Sequence, residues 1–280
     1  MRTLAEVLRL SAGHLERHGS PTARLDAELL LGHALGLSRI ELYTAFDRPL
    51  TEAELAACRE LIGRRARREP VAYILGRWGF RGLDIEVNER VLVPRPETEL
   101  LVETCLRLLA GVEAPRIVDV GTGSGAIALA LAAELPRATV TGCDISAGAL
   151  EVAARNGDRL GIAAEWVESD LLAGLAGRRF DLVVSNPPYV SAGEIEGLEP
   201  EVRDWEPRGA TVAGPDGTEV IARLLTEAAG HLVRGGAAAV EVGAGQADPV
   251  VALFAASGYR DVGRDRDHAG VERILWGRVP

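Results

Sequence analysis

Four residues in this chain have types and spacing that suit a specific chemistry: Asn186-Pro187-Pro188-Tyr189, directly after the apolar run Phe180-Asp181-Leu182-Val183-Val184-Ser185. Two consecutive prolines lock φ and remove two backbone N–H donors. The residue before each proline is pushed out of the α region. The result is a stiff extended corner with bare carbonyls, an amide side chain at its start and an aromatic ring at its end. Such a corner can grip a planar –NH2 group. The Asn186 side-chain oxygen and the Pro187 carbonyl each accept one of its hydrogens, and the Tyr189 ring lies against the flat group. The nitrogen lone pair is then aimed in one direction. The competing interpretation is a tight strand-ending turn with no chemistry of its own.

A second constellation lies upstream. Asp119-Val120-Gly121-Thr122-Gly123-Ser124-Gly125 joins an apolar strand to a helix. Glycines there let the backbone approach a ligand closely, and the helix start beyond them offers unpaired N–H groups. Asp144 follows Gly121 by 23 residues, at the end of the next strand, where a carboxylate can grip both hydroxyls of a ribose. Gly121, Gly123 and Ala126 also satisfy a dinucleotide pattern, so the glycine loop does not name its ligand. Three features favour S-adenosylmethionine over NAD. Asp119 ends the first strand, where a carboxylate suits a positively charged ligand better than a pyrophosphate. Asp170, after the third strand, can accept from an adenine amino group. The amine-gripping corner has no use in hydride transfer. Purely structural roles for Asp144 and Asp170 are a helix cap and a turn.

The surrounding elements place these residues together. Residues 1–70 read as helices: Leu4, Val7, Leu8 and Leu15 share a face, as do Ala27, Leu30, Leu31, Ala34 and Leu35. Thr51 and Glu54 have capping-box spacing, opening a helix that runs to about Arg68, before Pro70. The basic run Arg64, Arg65, Arg67 and Arg68 reads as a solvated helix end favoured by the macrodipole, with a docking patch for an RNA-rich or acidic partner as the lesser alternative. His14 and His18 sit one turn apart without a third ligand, so no metal site is expected. Residues 71–93 switch to alternation broken by Gly76, Gly79 and Gly82, which predicts a β-hairpin connector. Pro94-Arg95-Pro96-Glu97-Thr98-Glu99 opens a helix to about Leu109. From Ala114 strands and helices alternate: strands at 116–120, 139–144, 165–168, 180–185 and 237–242, with short closing strands at 259–262 and 272–276. A long polar loop is expected over 190–216. This is an α/β, Rossmann-like sheet with helices on both faces, preceded by a helical bundle. Ligands on such sheets sit at the C-terminal strand ends near the switch point, where every residue singled out above falls.

Composition narrows the function classes. The 280 residues are 47% hydrophobic and only 4% aromatic, enough for a core built from Ala, Leu and Val. A net charge of −10 argues against a long nucleic-acid groove. Cys58, Cys105 and Cys143 are odd in number and lack a C-x-x-C pair, so reduced thiols are expected. No signal-peptide block or membrane-length apolar run is present, and the expectation is a soluble, cytoplasmic, monomeric protein.

Taken together, the glycine loop, Asp144, Asp170 and the Asn-Pro-Pro-Tyr corner resemble class I S-adenosylmethionine methyltransferases acting on planar exocyclic nitrogens. Pro70-Val71-Ala72-Tyr73-Ile74-Leu75-Gly76 and Val91-Leu92-Val93-Pro94-Arg95-Pro96-Glu97-Thr98-Glu99 are similar to the linker of HemK-type enzymes, the glutamine-N5 methyltransferases of peptide chain release factors. Glu206-Pro207 and Gly214-Pro215-Asp216-Gly217 match that family's loop as well. The resemblance covers nearly the whole chain. It implies domains at 1–70 (helical, substrate-recognising), 71–93 (hairpin linker) and 94–280 (methyltransferase). It implies that Asp119, Gly121, Thr122, Gly123, Ser124, Gly125, Asp144, Asp170, Leu171 and Asn186 serve the cofactor. It implies that Asn186, Pro187, Pro188 and Tyr189 hold the glutamine of a class 1 release factor's Gly-Gly-Gln loop. Some relatives carry a cofactor-stacking Trp where this chain has Leu171, so aliphatic packing must replace it. An adenine-N6 or guanine-N2 nucleic-acid methyltransferase would share the corner but not the linker blocks. A dinucleotide oxidoreductase would leave the corner without a task.

Overall fold

A computed structural model describes residues 2–280, which form two compact units. The first comprises the chain up to residue 77 together with residues 199–205. Thr3 and Glu6 form a reciprocal capping box that opens α1 (Leu4–Arg17), whose buried face is Leu4, Val7, Leu8, Ser11 and Leu15. Gly36, at φ +64°, ends α2 (Ala23–Leu35). A Ser38–Glu41 box starts the short α3 (Arg39–Thr44), and the expected Thr51–Glu54 box starts α4 (Glu52–Ala66). The apolar stripe of α4 is Leu55, Cys58 and Ile62, and the next position on that stripe is Arg65.

That placement overturns the solvated reading of the arginine run. Arg65 is 4% exposed. Its Nε donates to Asp26 at 2.6 Å and its Nη1 meets Glu201 at 2.7 Å, with further bonds to the Ser20 hydroxyl and the Glu69 carbonyl. Arg68 also pairs with Glu201, and Arg64 with Glu69. Arg67 is the exposed member of the run. Burial pushes the Glu201 carboxyl up, but hydrogen bonds from Arg68 and Arg65 outweigh it and hold the group below its ordinary value. A helix end whose guanidiniums find buried carboxylates is a structural joint, not a free basic face.

Residues 71–75 are one turn of helix, α5 (Val71–Leu75), where the alternating pattern predicted strand. Val71, Ala72, Tyr73 and Ile74 are all buried, a continuous apolar run that a helical turn satisfies better than a half-exposed strand. Gly76, at φ +72°, stops it. The hairpin proper is β1 (Arg77–Phe80) with β2 (Leu83–Glu86).

The second unit, residues 78–198 and 206–280, is organised on one mixed sheet. Its helix α6 (Thr98–Leu108) begins later than expected: the carbonyls of Arg95, Pro96 and Glu97 accept from the amides three residues on, a tighter turn than an α-helix, before the helix proper starts. Then come β3 (Arg116–Val120), α7 (Ala126–Glu134), β4 (Thr139–Asp144), α8 (Ala147–Leu160), β5 (Glu165–Glu168) and β6 (Phe180–Ser185). The predicted polar loop contains β7 (Val190–Ser191), α9 (Pro200–Trp205, part of the helical unit), α10 (Arg208–Thr211) and β8 (Val212–Gly214), with β7 and β8 paired in parallel. Next are α11 (Glu219–His231), β9 (Leu232–Glu241), α12 (Ala247–Ala256), β10 (Arg260–Arg266) and β11 (Glu272–Arg278). The strand order is β10-β11-β9-β6-β3-β4-β5, with β11 antiparallel to its neighbours. Central strands are buried on both faces, so they read as apolar runs: Ile117, Val118 and Val120 in β3, Leu182 to Val184 in β6. Strand β9 starts five residues before the prediction, extended through Gly235 at φ +74° and a register shift opposite β6. Gly142 of β4 is required by packing: a Cβ there would lie 2.5 Å from the Trp166 ring of β5. Among the described residues, no helix is long and apolar enough to cross a membrane, and the three cysteines are buried and free.

Candidate active site

The strand order reverses between β3 and β6, since β4 and β5 continue on one side and β6 begins the other. A cavity of about 440 Å³ opens at that switch point, entirely within the second unit. Its floor is the β3–α7 turn. Gly121, Gly123 and Gly125 have φ of +71°, +55° and +79°. At Gly121 a Cβ would meet open space, whereas at Gly125 it would lie 2.9 Å from Trp166. The first keeps the backbone bare toward the cavity; the last lets α7 pack closely. Asn156, fully buried, ties this turn to the hairpin: its Nδ2 donates to the Ser124 and Glu86 carbonyls, both at 3.0 Å, and its Oδ1 accepts from the Glu86 amide at 2.7 Å.

Gly121, Thr122, Gly123, Ser124, Asp144, Asp170, Leu171, Asn186 and Pro188 all line the cavity. Asp119, Gly125, Pro187 and Tyr189 do not. Asp119 is fully buried beneath the turn. Its Oδ2 accepts from the Thr122 hydroxyl at 2.6 Å and the Ala128 amide at 3.2 Å, while Oδ1 has no partner among the described residues. Burial pushes this carboxyl up to about 7. It therefore braces the loop from below, where the sequence had suggested direct contact with ligand charge.

Asp144 uses one oxygen for the Gly123 amide and the other for the Ser146 amide, each at 2.9 Å. Burial raises its pKa despite these bonds. Each oxygen keeps a lone pair for a ligand hydroxyl. The cap of α8 is Ser146, so Asp144 is free of that duty. Asp170 pairs with Arg223 at 2.9 Å at the cavity mouth. Leu171 adopts φ +48°, uncommon for a residue with a Cβ, and its carbonyl accepts from the Cys143 thiol at 3.4 Å. Leu171 and Ile145, which is 70% exposed, supply aliphatic wall where an aromatic ring is missing.

At the corner, Asn186 Nδ2 donates to Thr98 Oγ1 at 3.2 Å, and Thr98 Oγ1 donates to Glu241 Oε2 at 2.7 Å. Tyr189 packs toward the sheet core, and its carbonyl accepts from Gln246 Nε2 at 2.8 Å. Burial, then the Glu241 charge, push its phenol up to about 12. Sequence reasoning missed Thr98, Glu241 and the wall formed by Pro207, Gly209 and Ala210. That wall is anchored by Glu206, 6% exposed, which accepts from the Val93 amide and from Arg95. The blocks 91–99 and 206–207 stood out by resemblance, but nothing local showed that they face one another.

Comparison with known proteins agrees with this architecture. Residues 6–76 match the PrmC N-terminal domain and residues 96–198 the methyltransferase small domain. The 16S rRNA methyltransferase RsmC of T. thermophilus, whose structure holds AdoMet and guanosine, superposes with a TM-score of 0.54 at 19% identity, over 73% of this chain and 50% of that one. The hMettl16 catalytic domain superposes with 0.59 at 17%, over 79% and 84%. These show the fold. The release factor glutamine methyltransferase of Geobacter sulfurreducens is 45% identical, over 99% of this chain and 97% of the relative. That of Rhodopirellula baltica is 43% identical, over 98% and 95%. With this identity sustained across both units, the chain belongs to the release factor glutamine methyltransferase family.

Proposed function

We propose that this protein transfers a methyl group from S-adenosylmethionine to the side-chain nitrogen (N5) of the glutamine in the Gly-Gly-Gln motif of class 1 peptide chain release factors, in the cytoplasm and as a monomer. The observation that carries this reading is a single cavity in which a glycine-floored turn with Asp144 meets the Asn186 amide and the Pro188 ring. The donor set fits a nucleoside: a bare glycine backbone, a carboxylate with free lone pairs at a strand end, and aliphatic walls. Bound there, S-adenosylmethionine supplies a methyl group made electrophilic by the sulfonium.

The protein's own residues have three tasks. An amide nitrogen is a poor nucleophile because its lone pair is delocalised into the carbonyl. Asn186 Oδ1 accepts an N–H of that amide, orients the lone pair and offsets the positive charge that grows on nitrogen. The turn from Gly121 to Ser124, Asp144 and Asp170 would hold and orient the donor. Leu171, Ile145 and Pro188 exclude water. The proton leaves to solvent after transfer, when the nitrogen has become acidic. The helical domain at 1–70 recognises the protein substrate, the 71–93 linker joins it, and 94–280 carries out transfer.

Two measurements test this. Labelled S-adenosylmethionine offered with a release factor, with the same factor carrying Ala for the Gly-Gly-Gln glutamine, and with duplex DNA should label the intact factor alone. Label on DNA and not on protein would replace the substrate. Asp144→Ala should weaken S-adenosylmethionine binding about 10–100-fold, as expected for losing hydrogen bonds to a charged group. Calorimetry checks this, and unchanged affinity would remove Asp144 from the site.

A further inference from the structure

Asn186 can act as a hydrogen-bond acceptor only if its amide faces the correct way. The two ends of a carboxamide are nearly the same size, so shape does not decide which end faces the cavity. The hydrogen-bond chain behind Asn186 does. Glu241 is 2% exposed, at the end of β9, and its Oε2 lies 2.7 Å from Thr98 Oγ1. An ionised carboxylate only accepts, so the single Thr98 proton must point to Glu241. Thr98 Oγ1 is then left as an acceptor, and its neighbour at 3.2 Å must be the Asn186 –NH2. Asn186 Oδ1, which has no protein partner among the described residues, faces the cavity.

We infer that Thr98 and Glu241 are positioning residues that hold the Asn186 amide with its oxygen toward the substrate nitrogen, and that they do so only while Glu241 is unprotonated. The inference rests on the methyl-transfer reading for its role in catalysis. Protonated Glu241 can donate to Thr98 Oγ1. Thr98 is then free to donate to Asn186 Oδ1, and the amide turns to present –NH2 against the substrate's own N–H groups. Two donors would then oppose each other where one acceptor is needed.

The surroundings set Glu241 near the point of change. Burial pushes it up to about 7, against the Thr98 hydrogen bond. The other groups that face it are Arg273 on β11, Glu97 and Arg95 before α6, and the Tyr189 phenol; the arginines favour the ionised form and Glu97 opposes it. Because the folded pKa lies above the ordinary Glu value of 4.5, the ionised form costs stability as pH rises through about 7. The active orientation is thus present on the alkaline side of neutrality and lost on the acid side.

The chain contains three asparagines, Asn88, Asn156 and Asn186, so a selectively labelled sample resolves the Asn186 –NH2 by NMR. Its resonance should shift with a midpoint near neutral pH in the wild type. In Thr98→Val and in Glu241→Gln it should stay flat. Methyl transfer should follow. Thr98→Val lowers kcat about 10–100-fold, as misplacement of a reacting group does, with S-adenosylmethionine affinity unchanged. Thr98→Ser restores it, and Glu241→Gln removes the acid limb of the kcat profile. An Asn186 –NH2 that ignores pH in the wild type, or still titrates without the Thr98 hydroxyl, overturns the inference whatever the activity. A titrating –NH2 in an enzyme that does not methylate release factors keeps the inference about orientation and refutes the methyl-transfer reading instead.

Discussion

Replacing Asn186 with alanine should lower kcat by ~10²–10³, the range seen when one aligned charge-stabilising group is removed. The affinity for S-adenosylmethionine should change much less. The physical basis is that Asn186 Oδ1 meets charge that exists only as the N–C bond forms. In the ground state the glutamine amide is neutral, and water can serve its hydrogens. In the transition state the nitrogen becomes cationic inside a cavity with aliphatic walls, where an aligned oxygen counts for more than in water. Loss should therefore appear in kcat and in kcat/KM together. Single-turnover transfer to a release factor, alongside calorimetry of cofactor binding, measures both. Wild-type turnover in Asn186→Ala would be incompatible with this mechanism. A loss confined to KM for the release factor would make Asn186 a docking residue only.

The second large effect concerns stability. Arg65→Ala should destabilise the helical unit by about 3–5 kcal/mol, the cost of stranding buried charges. Arg65 is the shared partner of Asp26, Ser20, the Glu69 carbonyl and Glu201. Its removal leaves the Asp26 carboxylate, 3% exposed, with only the Ser20 and Thr22 hydroxyls as partners, and leaves Glu201 with Arg68 alone. Arg67→Ala, on the exposed member of the same run, should fall within about 0.5 kcal/mol of wild type. Urea unfolding of the three proteins decides between them, and equal midpoints for Arg65→Ala and Arg67→Ala would show that the buried network contributes nothing. The acid side offers a further check. Glu201, held below its ordinary value, contributes stability that is present above pH about 4.5 and lost as pH falls through its folded pKa. In Arg65→Ala that pKa is less depressed, so the acid-side loss should be smaller.

The amino-acid sequence alone determined the order and type of the sheet elements. Strands β3 to β6 lie at the predicted residues because apolar runs, glycines and prolines act on neighbours a few residues away. The same local rules put the glycine turn, Asp144 and Asn186 at C-terminal strand ends, and a parallel α/β sheet brings such ends to one cavity. The meeting of these residue types at one cavity was legible for that reason. What the tertiary structure decided is how polar side chains are partnered once buried. Arg65 looked like a solvated charge in its basic run, yet its position on the stripe of α4 buries it against Asp26, 39 residues away. Thr98 looked like an ordinary first-turn residue, yet it links Asn186, 88 residues on, to Glu241, 143 residues on. Asp119 looked like a ligand contact and became a brace under the turn. In each case the local pattern is the same whether the group is solvated or paired. A buried donor or acceptor must find its complement somewhere in the fold, and which one it finds depends on contacts between segments far apart in the chain, on which sequence periodicity is silent.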